Sequence, residues 1–145
     1  MTGELPLVSE TFARVNYSET DQMGVVYHAR YLVWLDIART DHLRRTGVTY
    51  ADLELRGLRL AVGELRIRYR QPARYDDLVR VRCWVRECVP RRVTFGYALD
   101  LQETGVLLVT DETAMMVLGE KFQWARLPPD VSHLLPVSPD PVRLF

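Results

Sequence analysis

Hydrophobic and polar residues change their rhythm once along this chain, near Gly57. From His28 to about Thr46 the rhythm is helical. Apolar residues fill positions 31–35, 37 and 38, covering most of the circumference for two turns, which predicts a helix buried on nearly all sides there. Arg44 and Arg45 suit a last turn, where they oppose the helix dipole, and Gly47 suits a C-terminal stop. Thr49 with Asp52 has capping-box spacing and predicts a short second helix ending at Gly57.

After Gly57 the period falls to two. Leu65, Ile67 and Tyr69 alternate with Arg66, Arg68 and Arg70, predicting a strand over 58–70. A second strand over 78–88 sets Val79, Val81, Cys83 and Val85 opposite Arg80, Arg82, Trp84 and Arg86. A third over 93–101 puts Val93, Phe95, Tyr97, Leu99 and Leu101 on one face. A fourth over 106–118 is apolar on both faces, which predicts a central position. Turn residues separate these stretches, so an antiparallel meander is expected. A weaker pattern over 11–17, with Phe12 and Val15 among polar neighbours, predicts one strand ahead of the helix. The order is strand, helix, four strands. Such a helix needs a strongly curved sheet around it, so the expected class is α+β. Residues 1–9 read as a loose lead-in. Residues 128–135 read as a helical turn and 136–145, with three prolines, as extended or disordered. One domain over 1–145 is expected, with its core at about 10–120 and a partly irregular tail over 121–145.

Composition narrows the partners. Basic and acidic residues balance at 19 each, which argues against nucleic acid as the partner. The basic side is 18 Arg and one Lys, Lys121. No apolar run is long enough for a membrane helix, and Met1–Pro6 lacks the pattern of a secretory signal, so a cytoplasmic protein without membrane insertion is expected. Cys83 and Cys88 stand five apart, an odd spacing that places them on opposite faces of a regular strand, unable to pair. His28, His42 and His133 have no ligand spacing, so neither metal nor cofactor is expected.

The stretch Tyr17–His28, just ahead of the long helix, carries the candidate chemistry. Asp21 stands three residues before Gly24, and the helix begins soon after. A carboxylate can act as a base or a nucleophile, Gly24 permits close backbone approach of a ligand, and free N–H groups near Val26, Tyr27 and His28 can polarise a carbonyl. No Gly-x-Ser-x-Gly elbow offers another nucleophile. Asp21 is equally suited to a turn or a helix cap. His28 can orient Asp21, donate to a substrate, or satisfy a backbone group. Tyr31 and Trp34 fall on core spacing. Asp36, in an otherwise apolar helix, needs a partner such as Arg39 or Arg66 if it is buried.

The motif Tyr-x-x-Thr-Asp-x-x-Gly-Val-Val-Tyr-His-x-x-Tyr-x-x-Trp-x-Asp-x-Ala-Arg, from Tyr17 to Arg39, resembles the hot-dog fold acyl-CoA thioesterases of the 4-hydroxybenzoyl-CoA thioesterase type. The stretch Tyr69-Arg70-Gln71-Pro72-Ala73-Arg74-Tyr75-Asp76-Asp77 resembles the turn after that family's second strand. The similarity covers about residues 10–120. It implies a five-stranded antiparallel sheet wrapped around one long helix. It also implies subunits joined edge to edge as a homodimer or a dimer of dimers (a homotetramer), with active sites at the interface. The implied activity is hydrolysis of an acyl-CoA, with Asp21 as the catalytic carboxylate. Asp36 matches a position that can face an aryl group. Glu64 is a second candidate carboxylate, reaching Asp21 across the interface. An acyl-CoA substrate carries phosphates, for which Arg91 and Arg92, and also Arg59 and Arg74, are candidates. Two alternatives stay open: a 3-hydroxyacyl thioester dehydratase or hydratase using His28 with Asp21, and an acyl-CoA-binding module without turnover.

Overall fold

The computed structural model describes residues 7–145, so residues 1–6 of the expected lead-in lie outside the described residues. Strand β1 (Val8–Arg14) leads through a 3-10 turn (Tyr17–Glu19) into helix α1 (Arg30–Thr46) and the short helix α2 (Tyr50–Leu55). Strands β2 (Leu58–Tyr69), β3 (Leu78–Val89), β4 (Arg92–Leu101) and β5 (Leu107–Gly119) follow, then helix α3 (Pro129–Ser132). The later strands begin and end close to their alternating stretches. The first begins at Val8 rather than Thr11, because its inward positions, Ser9, Thr11 and Ala13, are small or polar and stand opposite Cys83, Val81 and Val79. Of the two apolar residues in that stretch, Phe12 is exposed and Val15, just past the strand, is buried.

All five strands pair antiparallel, in the order β1-β3-β4-β5-β2. The meander is therefore confined to β3, β4 and β5. Strand β2 pairs with β5 at one edge, and residues 70–77 cross over to β3 near the other. That connection contains Pro72 and is too long for a tight hairpin. Its backbone groups find partners in the loop after β1: Val15 N–H donates to Asp77 O (2.9 Å), Asp76 N–H to Val15 O (3.1 Å) and Val26 N–H to Ala73 O (2.8 Å). The central strand is β4, not β5 as the apolar run predicted; β4 is buried on both faces from Val93 to Asp100.

Helix α1 lies on the concave face. Tyr31, Trp34, Leu35, Ala38 and Leu43 are buried there with Val79, Val81, Phe95, Leu99 and Val109. The opposite side is open: Leu32, Val33 and Ile37 are exposed in the single chain. The sheet thus encloses one side of the helix, where the sequence predicted burial nearly all round. Gly47 ends the helix at φ 95°, its N–H donating to the carbonyls of Arg44 and Leu43. At α2 the Thr49 hydroxyl accepts from Asp52 N–H (3.1 Å).

Two bulges correct the face assignments. In β2 the register shifts between Val62 and Glu64, so Leu58, Leu60 and Val62 share a face with Leu65, Ile67 and Tyr69. In β3 it shifts between Val85 and Glu87. Cys88 therefore joins Cys83 on the core face, not the opposite one, and both remain free thiols. The chain from Pro136 is extended and packs along the outer face. Ser138 N–H donates to Val85 O (2.9 Å), Trp84 Nε1 to Asp140 Oδ1 (2.9 Å) and the Thr110 hydroxyl to Leu144 O (2.6 Å). Among the described residues no helix is long and apolar enough to cross a membrane.

Polar groups sit beneath α1. Arg39 donates to Tyr97 Oη (3.0 Å) and Tyr50 Oη (3.3 Å). His42 Nδ1 meets Ser9 Oγ at 2.8 Å, and burial pushes its imidazole down to about 4. Asp111 is fully buried; one oxygen accepts from the Thr113 hydroxyl (2.8 Å), the other has no partner among the described residues, and burial pushes its carboxyl up to about 7. The two groups tilt stability in opposite directions. Between 6.5 and about 4 the unfolded chain binds a proton at His42 that the folded one excludes, so stability falls as pH falls. Between 3.8 and about 7 the folded chain holds a proton at Asp111 that the unfolded one releases, so stability falls as pH rises through 7. Asp111→Asn, which mimics the protonated acid, removes the second slope. The fall in thermal midpoint between about pH 6 and about pH 8 then shrinks relative to the parent, as measured by thermal unfolding across that range.

Candidate active site

The loop from Thr20 to His28 folds back on itself before entering α1. A bridge between Thr20 and Val26 closes it, with Asp21 N–H donating to Val25 O (2.9 Å) and Gly24 N–H to Asp21 O (3.0 Å). Asp21 Oδ1 accepts from Met23 N–H (2.8 Å), an Asx-type turn; Oδ2 accepts no hydrogen bond among the described residues. The turn role and a free carboxylate oxygen thus coexist in one side chain. Gly24 sits at φ 77°, a left-handed conformation that the turn requires. A Cβ there would meet nothing within 4 Å, so backbone conformation rather than crowding calls for glycine.

Beneath the loop is Glu19, nearly buried. Its Oε1 accepts from Asn16 N–H (2.8 Å) and its Oε2 from Trp34 Nε1 (3.0 Å), while Arg30 stands 3.7 Å away. Trp34 therefore serves the core and the loop together. The amides ahead of α1 divide into two sets. Val26 and Tyr27 are engaged, Val26 with Ala73 O and Tyr27 with Glu19 O (2.9 Å), which removes both as free donors. The N–H groups of Val25, His28 and Ala29 have no acceptor among the described residues. Of the three amides expected to be free, His28 alone is.

These groups border a cavity of about 250 Å³ lined by Asp21, Met23, Val25, Val26, His28, Tyr31, Tyr69, Arg70, Gln71 and Pro72. Among the described residues Asp21 is its sole carboxylate. Tyr31 and Tyr69 supply aromatic walls, and burial raises the pKa of both phenols, so each stays a neutral hydroxyl at pH 7. The His28 ring lies against Tyr27 (centroids 4.3 Å apart) and makes no hydrogen bond to Asp21 or to the backbone. Crossover residues 70–72 complete the wall; their place in the sequence gave a turn but no site. The signal for Tyr69 was its position as the last inward residue of the alternation in β2.

The other candidate residues lie elsewhere in the single chain. Asp36 is not buried: its carboxylate pairs with Arg39 (2.6 Å) and two thirds of its side chain (66%) is exposed, on the open side of α1. Arg66 instead stacks on the Phe145 ring, 3.9 Å from its centroid. Glu64 follows the β2 bulge and faces a larger outer groove of about 770 Å³, together with Arg66, Glu87, Arg92, Glu112 and Trp124. No lining residue of that groove lines the Asp21 cavity. Arg92 is held there by Glu87 (2.6 Å), and Arg91, at the turn before β4, is exposed. Tyr27 and Gly24 adjoin the cavity without lining it. Among the described residues no group of three or more His, Cys, Asp or Glu side chains is placed to hold a metal ion.

A family model described as the Thioesterase-like superfamily matches residues 15–135. The chain belongs to that superfamily. Among its thioesterase-like relatives, YneP of Bacillus subtilis is 38% identical over 90 residues, 62% of this chain and 65% of its own, just under two thirds of the relative's length. A Haemophilus influenzae protein named acyl-CoA thioesterase YbgC is 37% identical over 108 residues, 74% of this chain and 79% of its own. The crystal structure of DHNA-CoA thioesterase from Staphylococcus aureus superposes with a TM-score of 0.82 at 32% identity, covering 88% of this chain and 87% of that one. The hot-dog arrangement expected for a thioesterase-like chain, one long helix against a five-stranded antiparallel sheet, is the arrangement observed.

Glu19 is the strut under this loop. Glu19→Ala leaves the Asn16 N–H and the Trp34 indole N–H without their acceptor and costs about 1–3 kcal/mol of stability, read as a lowered midpoint in urea unfolding.

Proposed function

We propose that this protein hydrolyses an acyl-CoA thioester to a free acid and coenzyme A, with Asp21 and the His28 amide as its working groups. One observation carries the reading: the Asp21 carboxylate, with one oxygen unengaged, borders the same cavity as His28, whose N–H has no acceptor. The thioester carbonyl oxygen sits toward the His28 amide at the start of α1, where backbone N–H and helix dipole stabilise the negative charge that develops on it. Asp21 then acts in one of two ways. As a base it takes a proton from water, whose oxygen adds to the carbonyl carbon; the C–S bond then breaks and the departing thiolate takes up the proton held by Asp21. As a nucleophile it adds directly, expels the thiolate and leaves a mixed anhydride that water opens. Solvent ¹⁸O found in the Asp21 carboxylate after a single turnover identifies the second route.

The relatives named as thioesterases and the lone carboxylate of the cavity support hydrolysis over dehydration. A hydratase site wants His28 paired with an acid, and no hydrogen bond joins it to Asp21. Arg91 and Arg92 remain our candidates for the phosphates of coenzyme A; Arg92 lines the outer groove, and Arg91 is exposed at the turn before β4. The two free thiols favour a reducing, cytoplasmic setting.

Asp21→Asn is expected to lower kcat by at least about a hundredfold on every acyl-CoA the parent cleaves. The check is colorimetric detection of released thiol over a panel of short, long and aromatic acyl-CoAs. Full activity in the variant assigns the chemistry elsewhere.

We also propose that two copies join through β2. Its outer edge pairs with no strand among the described residues, and the exposed Leu32, Val33 and Ile37 of α1 lie on the side the sheet leaves open. A homodimer, or a dimer of dimers, brings Asp36 and Glu64 of one copy toward the other. Light scattering after gel filtration is expected to give at least twice the 16.8 kDa chain mass, and Val62→Arg with Ile37→Glu to reduce it to one chain.

A further inference from the structure

Three aromatic side chains stand in line behind the Asp21 loop. Trp34 meets Tyr31 edge-on, with centroids 5.2 Å apart, and Tyr31 meets Tyr69 in the same manner at 5.7 Å. Each carries one polar atom, and each polar atom holds a different part of the loop system. Trp34 Nε1 donates to Glu19, two residues before Asp21. Tyr31 Oη accepts from Ala73 N–H (3.1 Å), on the crossover segment whose carbonyl at Ala73 receives Val26 N–H. Tyr69 Oη donates to the carbonyl of His28 (2.8 Å), across 41 positions of sequence.

The third contact differs from the other two. Trp34 and Tyr31 are buried, and their bonds satisfy groups inside the fold. Tyr69 closes β2 at the sheet edge and is 46% exposed, and His28 is exposed as well. Water can replace the Tyr69 hydroxyl at the His28 carbonyl, so the bond adds little to folding. It does hold a residue whose N–H is a free donor at the cavity.

Resting on the hydrolase reading above, we infer that Tyr69 is a positioning residue for the reaction, its hydroxyl clamping the His28 carbonyl so that the His28 amide is held toward the substrate oxygen. A donor of this kind lowers the barrier only while it is already oriented when charge develops. A displacement of about 1 Å is enough to cost on the order of a hundredfold in rate. The clamp acts through orientation, so its loss moves kcat and leaves substrate affinity in place. A Tyr69 that mainly touched the acyl group would instead move KM.

The test is Tyr69→Phe in the full chain, which keeps the ring against Tyr31 and removes only the hydroxyl. Steady-state thiol release is measured beside thermal unfolding, in the parent and in the Asp21→Asn background. The expected result is a kcat lower by about tenfold or more, with KM within about twofold and the thermal midpoint nearly unchanged. The loss should be smaller once Asp21 is already Asn, because the two groups serve one step. An unchanged kcat, a rise in KM without a fall in kcat, or a fall in kcat matched by loss of folding overturns the inference and leaves the hydrolase reading standing. Absence of thiol release by the parent on the whole panel overturns the hydrolase reading, and the inference with it.

Discussion

Helix α1 buries Tyr31, Trp34, Leu35, Ala38 and Leu43 against the concave face of the sheet, and that contact fixes where its first turn can lie. A leucine such as Leu35 or Leu43 contributes about 1.5–3 kcal/mol of burial, so the helix cannot rotate or slide without losing several such contacts. Its N-terminal end is thereby held beside the crossover between β2 and β3. The loop carrying Asp21 must bridge from the end of β1 to that point. It does so through Glu19 below, held by Trp34, and through Ala73 alongside, held by Val26 and Tyr31. The packing of one helix face therefore sets the position of the carboxylate, even though Asp21 itself is only partly buried.

The same helix carries polar residues into the interior, and they are handled unevenly. Arg39 is fully engaged, by two tyrosine hydroxyls and by Asp36 at the surface. His42 has one ring nitrogen on Ser9 and the other without a partner. Asp111 has one oxygen on Thr113 and the other unmatched. Low dielectric strengthens the bonds that are made and penalises the groups left bare, which is why both titrations move so far. Ser9, Cys83, Tyr97 and Asp111 fall in one cross-strand row, so this polar line follows from register rather than from any local motif.

On the outer face the arginines of β3 are engaged by acids, while Arg66 of β2 and Arg70 just after it meet the chain end. Asp100 takes both Arg80 and Arg82, and Asp140 with Glu112 takes Arg86. Arg70 reaches past Thr110 to the carbonyl of Leu144 (2.8 Å). The alternation of arginine with apolar residues, which reads as a solvated face, is in part a set of anchors for the last ten residues. Pro136 and its companions prevent regular pairing there, and side-chain bonds hold the segment instead.

The sequence by itself determined the local structure. Side chains repeat every two residues in a strand and about every 3.6 in a helix, so β2 to β5, α1 and the glycine stops were legible, as was the placing of Asp21 ahead of a helix end. It misjudged β1, whose inward residues are small and polar, and the cysteine faces, because a bulge resets parity without leaving a clear mark in composition. Sheet order was out of its reach: periodicity tells which face a residue takes, not which strand lies beside it. Everything that depends on order was therefore decided by the tertiary structure. That includes the loss of the Val26 amide as a free donor, since Ala73 of the crossover takes it; the exposure of Asp36, since the sheet covers one side of the helix; and the contact of Tyr69 with His28. Hydrogen bonds between positions 41 residues apart exist only once the strands have found their neighbours, and no spacing along the chain encodes them.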